Sequence, residues 1–287
     1  MHLKNMHRKR KLQSAMEYLM TYGWAILIIA VVLGALFQLG VFNSSSFAPR
    51  APPGSCQVFR PGGPLTTTNI NLMGVCTGQL PQYVASLASA RSSSISFGTT
   101  GFPTGASSRT MTAWIYPISL PGQMGIAGYG GSGTNTGYTL GVESTGFLSI
   151  IQEGNTQITT MSPVLNSWNF VAVKYDGTQD TLYLGTASQT ASPSPLTTGT
   201  SLGGWIGTRD SGGSYFNGQL ANIQLYNITL TANQIQALYL EGIGGAPMKL
   251  QNIVGWWPLN GNANDYGGNN NNGVPYNSVT FTSQYGK

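Results

Sequence analysis

The stretch from Ala15 to Phe42 carries one charged side chain, Glu17, and follows closely on a basic run, Arg8-Lys9-Arg10-Lys11. At a helical rise of 1.5 Å, these roughly 28 residues span about 42 Å, more than the ~30 Å hydrocarbon core of a bilayer. Cations before the stretch and none for a long way after it put the N-terminus in the cytoplasm. The apolar run is longer than the roughly 7–15 residues of a secretory signal, and no small-x-small cleavage site follows Phe42 at once. Glu17 lies inside the apolar run, where a carboxylate is costly. It is therefore a functional candidate, the plainer reading being a side chain that snorkels to the interface.

Charge is scarce elsewhere. The 287 residues hold 13 Lys or Arg and 8 Asp or Glu. Five of the cations (Lys4, Arg8, Lys9, Arg10, Lys11) precede Gln13, so beyond that leader the charges balance. A basic nucleic-acid-binding face is excluded, and no nucleic-acid partner is expected. Both histidines, His2 and His7, also lie in the leader, which excludes Ser-His-Asp chemistry and His-ligated zinc from the rest of the chain. Cys56 and Cys76 are too few for a zinc site. In an exported chain they read as one disulfide closing a Pro/Gly/Thr-rich loop, the alternative being two buried thiols.

The residues Arg8-Lys-Arg-Lys-Leu12 followed by Gln13-Ser-Ala-Met-Glu17-Tyr18 resemble the class III signal peptide of archaeal type IV pilins. The resemblance implies that a prepilin peptidase cuts between Leu12 and Gln13 and that residues 1–12 are lost. It also implies that residues 13–42 form a helix serving first as membrane anchor and then as filament core. The partners implied are the membrane and other pilin subunits in a homo-oligomeric filament. Glu17 would pair with the new α-amine of Gln13 on a neighbouring subunit. The localisation implied is the cell membrane before assembly and an extracellular surface filament after it.

Residues 43–93 read as a linker, opened by Asn43-Ser-Ser-Ser and Ala48-Pro-Arg-Ala-Pro-Pro-Gly54, which cannot continue a helix. From Ser94 short β-rich runs alternate with Gly-rich turns, the pattern of an all-β sandwich. One helix interrupts at Leu230–Leu240, with Thr231 and Gln234 as a capping box and Gly242 as its stop. Thr110-Met-Thr-Ala-Trp-Ile-Tyr-Pro117, Asn166-Ser-Trp-Asn-Phe-Val-Ala-Val-Lys-Tyr175 and Leu225-Tyr-Asn-Ile-Thr-Leu230 resemble the laminin G-like, concanavalin A-like jelly roll. Val254-Gly-Trp-Trp-Pro-Leu-Asn-Gly-Asn-Ala-Asn-Asp-Tyr266 resembles the segment that usually opens such a domain, yet here it comes last. The expected fold is thus an N-terminal helix followed by a circularly permuted jelly roll, residues 94–245 completed by residues 246–287.

Catalysis finds little support: Glu143 and Glu153 are ten apart across a turn, without the close acid pair that jelly-roll glucanases need. A lectin-like adhesive or glycan-binding role is expected instead, either on a polymerising subunit or on a membrane-anchored, non-polymerising protein. Trp256 and Trp257 are adjacent on a strand and point to opposite faces, so at most one is buried in the sandwich and the other is a candidate ligand contact. Asp265 with Asn262 and Asn264 could give oxygen ligands to Ca²⁺, or form an Asx-turn loop; no cofactor is required. Asn43 and Asn227 fit the N-glycosylation pattern. Mass spectrometry of the surface protein should show a mature chain beginning at Gln13, whereas an intact Met1 or a cut beyond Phe42 overturns the pilin resemblance.

Overall fold

The computed structural model describes residues 20, 22–35, 56–59, 67–70, 81–192, 195–209 and 213–283. Leu12, Gln13, Glu17, Asn43 and Cys76 lie outside them, and with them the expected cleavage site, the subunit pairing and the disulfide. The chain divides into two units, Met1–Pro49 and Arg50–Lys287. In the first, residues 22–35 form a helix, α1, whose large apolar side chains are exposed all round, Trp24 at 67% and Ile29 at 58% among them. Among the described residues no helix is long and apolar enough to cross a membrane.

The second unit is a sandwich of two antiparallel sheets beside a small hairpin. Its strands are β1 (Cys56–Phe59), β2 (Thr67–Ile70), β3 (Val84–Leu87), β4 (Ser94–Phe97), β5 (Arg109–Pro117), β6 (Met124–Gly130), β7 (Gly137–Val142), β8 (Leu148–Ile151) and β9 (Thr156–Ile158). They continue with β10 (Asn169–Tyr175), β11 (Asp180–Leu184), β12 (Ala187–Thr190), β13 (Gly204–Ile206), β14 (Gly218–Tyr226), β15 (Ile253–Trp257), β16 (Val274–Tyr276) and β17 (Thr280–Thr282). One sheet has eight strands in the order β12-β11-β10-β5-β14-β3-β17, with β15 also on β14. The other has seven, in the order β16-β4-β13-β6-β7-β8-β9.

The pleat explains why the central strands read as nearly continuous apolar runs. On β5, Met111, Ala113 and Ile115 enter the core between the sheets, while Trp114 and Tyr116 point the other way into a second cluster. That second cluster is roofed by α2 (Ala232–Glu241), which buries Ile235 and Leu238. Thr231 and Gln234 cap its start reciprocally, and Gly242, at φ +83°, ends it. Tyr239 of α2 stacks on Trp114 at 5.9 Å.

The sandwich starts before Ser94. β3 lies within the stretch read as linker, yet it is inserted between β14 and β17 with Val84 and Ala85 fully buried. Four residues are too short a run for period-two alternation to stand out among the turn formers around it. The C-terminal segment joins both sheets: β15 pairs with β14, β16 with β4 and β17 with β3.

A buried polar cluster crosses the core. The Arg109 guanidinium, on β5, donates to the Tyr129 hydroxyl of β6 at 2.9 Å and to the carbonyls of Gly105 and Ser107. The rings of Tyr129, Tyr138 and Tyr175 stand 5.1–5.9 Å from it. Nearby, the fully buried Asp180 accepts from Gln152 at 2.5 Å. Burial raises its carboxyl to about 7, against the opposing pull of the Tyr138 hydroxyl and the Arg109 charge. The folded state then holds the Asp180 proton more tightly than the unfolded chain, whose aspartates titrate near 3.8. This stabilisation is full below the unfolded value and is lost as pH rises through about 7. Melting temperatures of the parent and Asp180→Asn should therefore diverge in favour of the variant between about pH 4 and about pH 8. A gap that does not change with pH overturns this assignment.

Candidate functional site

The edge of the eight-stranded sheet at β15 carries a cavity of about 280 Å³, lined by Trp256, Tyr266, Asn222, Asn260, Ile243 and Pro258 among others. Its geometry begins with Trp257. That indole is 1% exposed, lies 4.3 Å from the Phe97 ring and 6.3 Å from the Phe102 ring, and donates Nε1–H to the Asn271 carbonyl at 3.0 Å. With Trp257 fixed inward, the pleat turns Trp256 outward. Trp256 is half-buried, backed by the α2 cluster, and donates Nε1–H to Asn222 Oδ1 at 2.9 Å.

Asn222 sits at an irregularity in β14. Before it, the strand's free edge pairs with β3; after it, with β15. Its φ of +48° is left-handed, a region that asparagine tolerates better than most residues. The side chain is thereby held as an anchor: Oδ1 accepts from Trp256 and Gln224, and Nδ2 donates to the Gly245 carbonyl.

The second aromatic comes from the loop after β15. Asp265 Oδ1 accepts the backbone N–H groups of Trp256 and Gly267, and Oδ2 accepts that of Asn271. Tyr266 N–H then bonds the Trp256 carbonyl at 2.8 Å. The Tyr266 ring, 56% exposed, meets Trp256 edge to face at 6.0 Å and 64°. The two rings form an open corner beside uncharged polar neighbours.

Asp265, Asn262 and Asn264 lie together, but as a hydrogen-bonded loop. Asn264 N–H bonds Asn262 Oδ1 at 2.9 Å, Asn262 Nδ2 donates to the Tyr266 hydroxyl, and both Asp265 oxygens face backbone donors. Among the described residues no three His, Cys, Asp or Glu side chains cluster as a metal site would need. Asn227 is exposed and accepts from Asn252. Cys56 lies in β1. Glu143 accepts from Gln123 and Ser149, and Glu153 pairs with Arg209 at 3.5 Å. Tyr266 and Asn222 were not singled out by the sequence; only a lone Asn inside an alternating strand hinted at the second.

A family model described as the concanavalin A-like lectin/glucanases superfamily matches residues 89–236. No curated protein matches the chain. Among solved structures, a Bacteroides ovatus protein described as a candidate carbohydrate binding protein superposes with a TM-score of 0.55 at 17% identity. The match covers 76% of this chain and 63% of that one, so the chain spans under two thirds of its relative's length, and the likeness is one of fold. Weaker matches are a Trypanosoma rangeli sialidase mutant displaying trans-sialidase activity (TM-score 0.38, 20% identity, 47% of this chain and 23% of that one) and a domain of a Geobacillus stearothermophilus extracellular arabinanase in complex with arabinotriose (0.40, 15%, 50% and 69%).

An amide in place of the Asp265 carboxylate must turn its NH₂ toward a backbone N–H on one side. Asp265→Asn should therefore cost about 1–3 kcal/mol of stability, measured by denaturant melting. Unchanged stability overturns the loop-organising role of the carboxylate.

Proposed function

The chain belongs to the concanavalin A-like lectin/glucanases superfamily, and from that premise we propose that its sandwich binds a saccharide at the Trp256–Tyr266 corner. The observation that carries this reading is the edge-to-face pair of exposed and half-exposed rings over an uncharged cavity. A sugar has an apolar C–H face that suits an aromatic ring and hydroxyl edges that suit amides such as Asn260. Because the described lining is uncharged, the ligand class is a neutral sugar. The reading is one of binding without hydrolysis, supported by Glu143 and Glu153, the acids weighed for catalysis, each being held by partners of its own. Residues 252–282 take the place of the usual opening strand, a permuted order supported by their pairing with β14, β4 and β3.

A second reading concerns attachment. The exposed apolar side chains around α1 need an apolar environment, which favours an anchored surface protein and, with the pilin resemblance, a filament subunit. The mature N-terminus stated above tests it.

The saccharide reading is tested by electrophoresis of the full chain through gels containing dextran, xylan, galactan or arabinan. At least one polymer should retard the protein. Tyr266→Ala, which removes an exposed ring, should weaken retardation about tenfold, as truncation of an aromatic hot spot does. Full retardation of that variant overturns the corner as the contact.

A further inference from the structure

We propose that the outer face of the seven-stranded sheet is a second saccharide platform, centred on Trp205 and Tyr276, so that one domain holds two glycan chains, one on each side of the sandwich. This rests on the reading of the Trp256–Tyr266 corner as the first contact.

On β13, Ile206 is fully buried between the sheets, so the neighbouring Trp205 faces outward. The strand pairings place Ser96 of β4 on one side of Trp205 and Gly128 of β6 on the other. Val274 lies opposite Ser96, and Thr139 opposite Gly128. Trp205 is thus the one large aromatic side chain in a row of small residues and one valine. On the β6 side Gly128 and Thr139 are buried, Thr139 Oγ1 donating to the Arg209 carbonyl at 3.1 Å and leaving no room for a Cβ on Gly128, so the exposed neighbours of the indole lie on the other side, at β16. The indole is fixed before any ligand arrives, because its Nε1–H donates to the Leu202 carbonyl at 3.2 Å. The Tyr276 ring stands 6.1 Å away at 44°, 47% exposed, and Val274 beside it is 54% exposed. Together they make an aromatic ledge on a free surface.

The ledge adjoins a shallow cleft whose lining includes Gly137, Thr139, Glu153 and Arg209. Arg209 and Glu153 pair at 3.5 Å, with side chains 34% and 20% exposed. The pair offers donors and acceptors to hydroxyl groups while carrying no net charge, so neither a polyanion nor a polycation is favoured. An extended peptide adding to the sheet is disfavoured: β13 is hydrogen-bonded on both sides by β4 and β6, and the edge strand β16 offers three residues, the middle one Pro275, which has no N–H to donate. An apolar ledge beside a neutral set of donors and acceptors matches a neutral, hydroxyl-rich chain. Trp256 stands on the outer face of the opposite sheet, because Trp257 points inward from the same strand. Two packed sheets, about 10 Å apart, separate the sites, so a short saccharide lying on one face does not reach the other.

The test uses the full chain in detergent with whichever of dextran, xylan, galactan or arabinan retards it. The parent should be retarded and should precipitate the soluble polymer by bridging chains. Trp205→Ala and Trp256→Ala should each still be retarded, about tenfold more weakly, and neither should precipitate the polymer. The double variant should migrate as it does without polymer, and Trp205→Phe, which keeps an aromatic face, should precipitate like the parent. Tyr276→Ala, at a more exposed position, should repeat the Trp205→Ala result with the parent's melting temperature, which separates lost contact from lost folding. If Trp205→Ala and Tyr276→Ala precipitate polymer like the parent, the second platform is overturned and the Trp256 corner stands. If Trp205→Ala abolishes retardation while Trp256→Ala changes nothing, the corner reading falls, and the two-chain proposal with it. Retardation by no polymer overturns both.

Discussion

The inward seating of Trp257 is the constraint on which the candidate site depends. Its indole fills the space beside Phe97 and Phe102 and satisfies its own N–H on the Asn271 carbonyl. A shift of β15 by one residue would expel that ring from the core and bury Trp256 in its place. Gly255, two residues earlier on the same face, admits the ring; a Cβ there would lie 2.3 Å from it. Register, burial and the outward aim of Trp256 are consequences of one packing decision.

The loop after β15 depends on the same strand. Asp265 reads the position of β15 through the Trp256 N–H and transmits it to Gly267 and Asn271. Asn271 in turn donates to the Thr100 and Val254 carbonyls and accepts from Thr100 N–H, which ties the loop to the β4–β5 connection. The backbone of Tyr266 is placed by this chain of contacts, and its exposed ring is held by the edge contact with Trp256 and by the bond from Asn262 Nδ2 to its hydroxyl.

Few charges are available to this domain, and they are used in unequal ways. Arg109 is spent inside, where three tyrosine rings and backbone carbonyls replace water around the guanidinium and link the two sheets. Arg209 stays partly exposed and pairs with Glu153, an arrangement worth little for stability but available to a ligand.

The sequence by itself determined the order of the chain and most of its central strands. Short runs of apolar, aromatic and β-branched residues between Gly-rich turns mark β5, β7, β10 and β14, which are buried along nearly their whole length. Thr231 and Gln234 marked the helix through a local capping rule that needs no tertiary information. That at most one of Trp256 and Trp257 could be buried in the sandwich followed from the pleat alone; which one it is did not. Tertiary structure decided that, because only the assembled core offers the Phe97–Phe102 niche. It also decided that β3, four residues in a turn-rich stretch, is a central strand, since its support comes from β14 and β17, far away in the chain. The role of Asn222 was equally out of reach: it arises where β14 exchanges one partner strand for another, and such a point exists only once the sheet has formed.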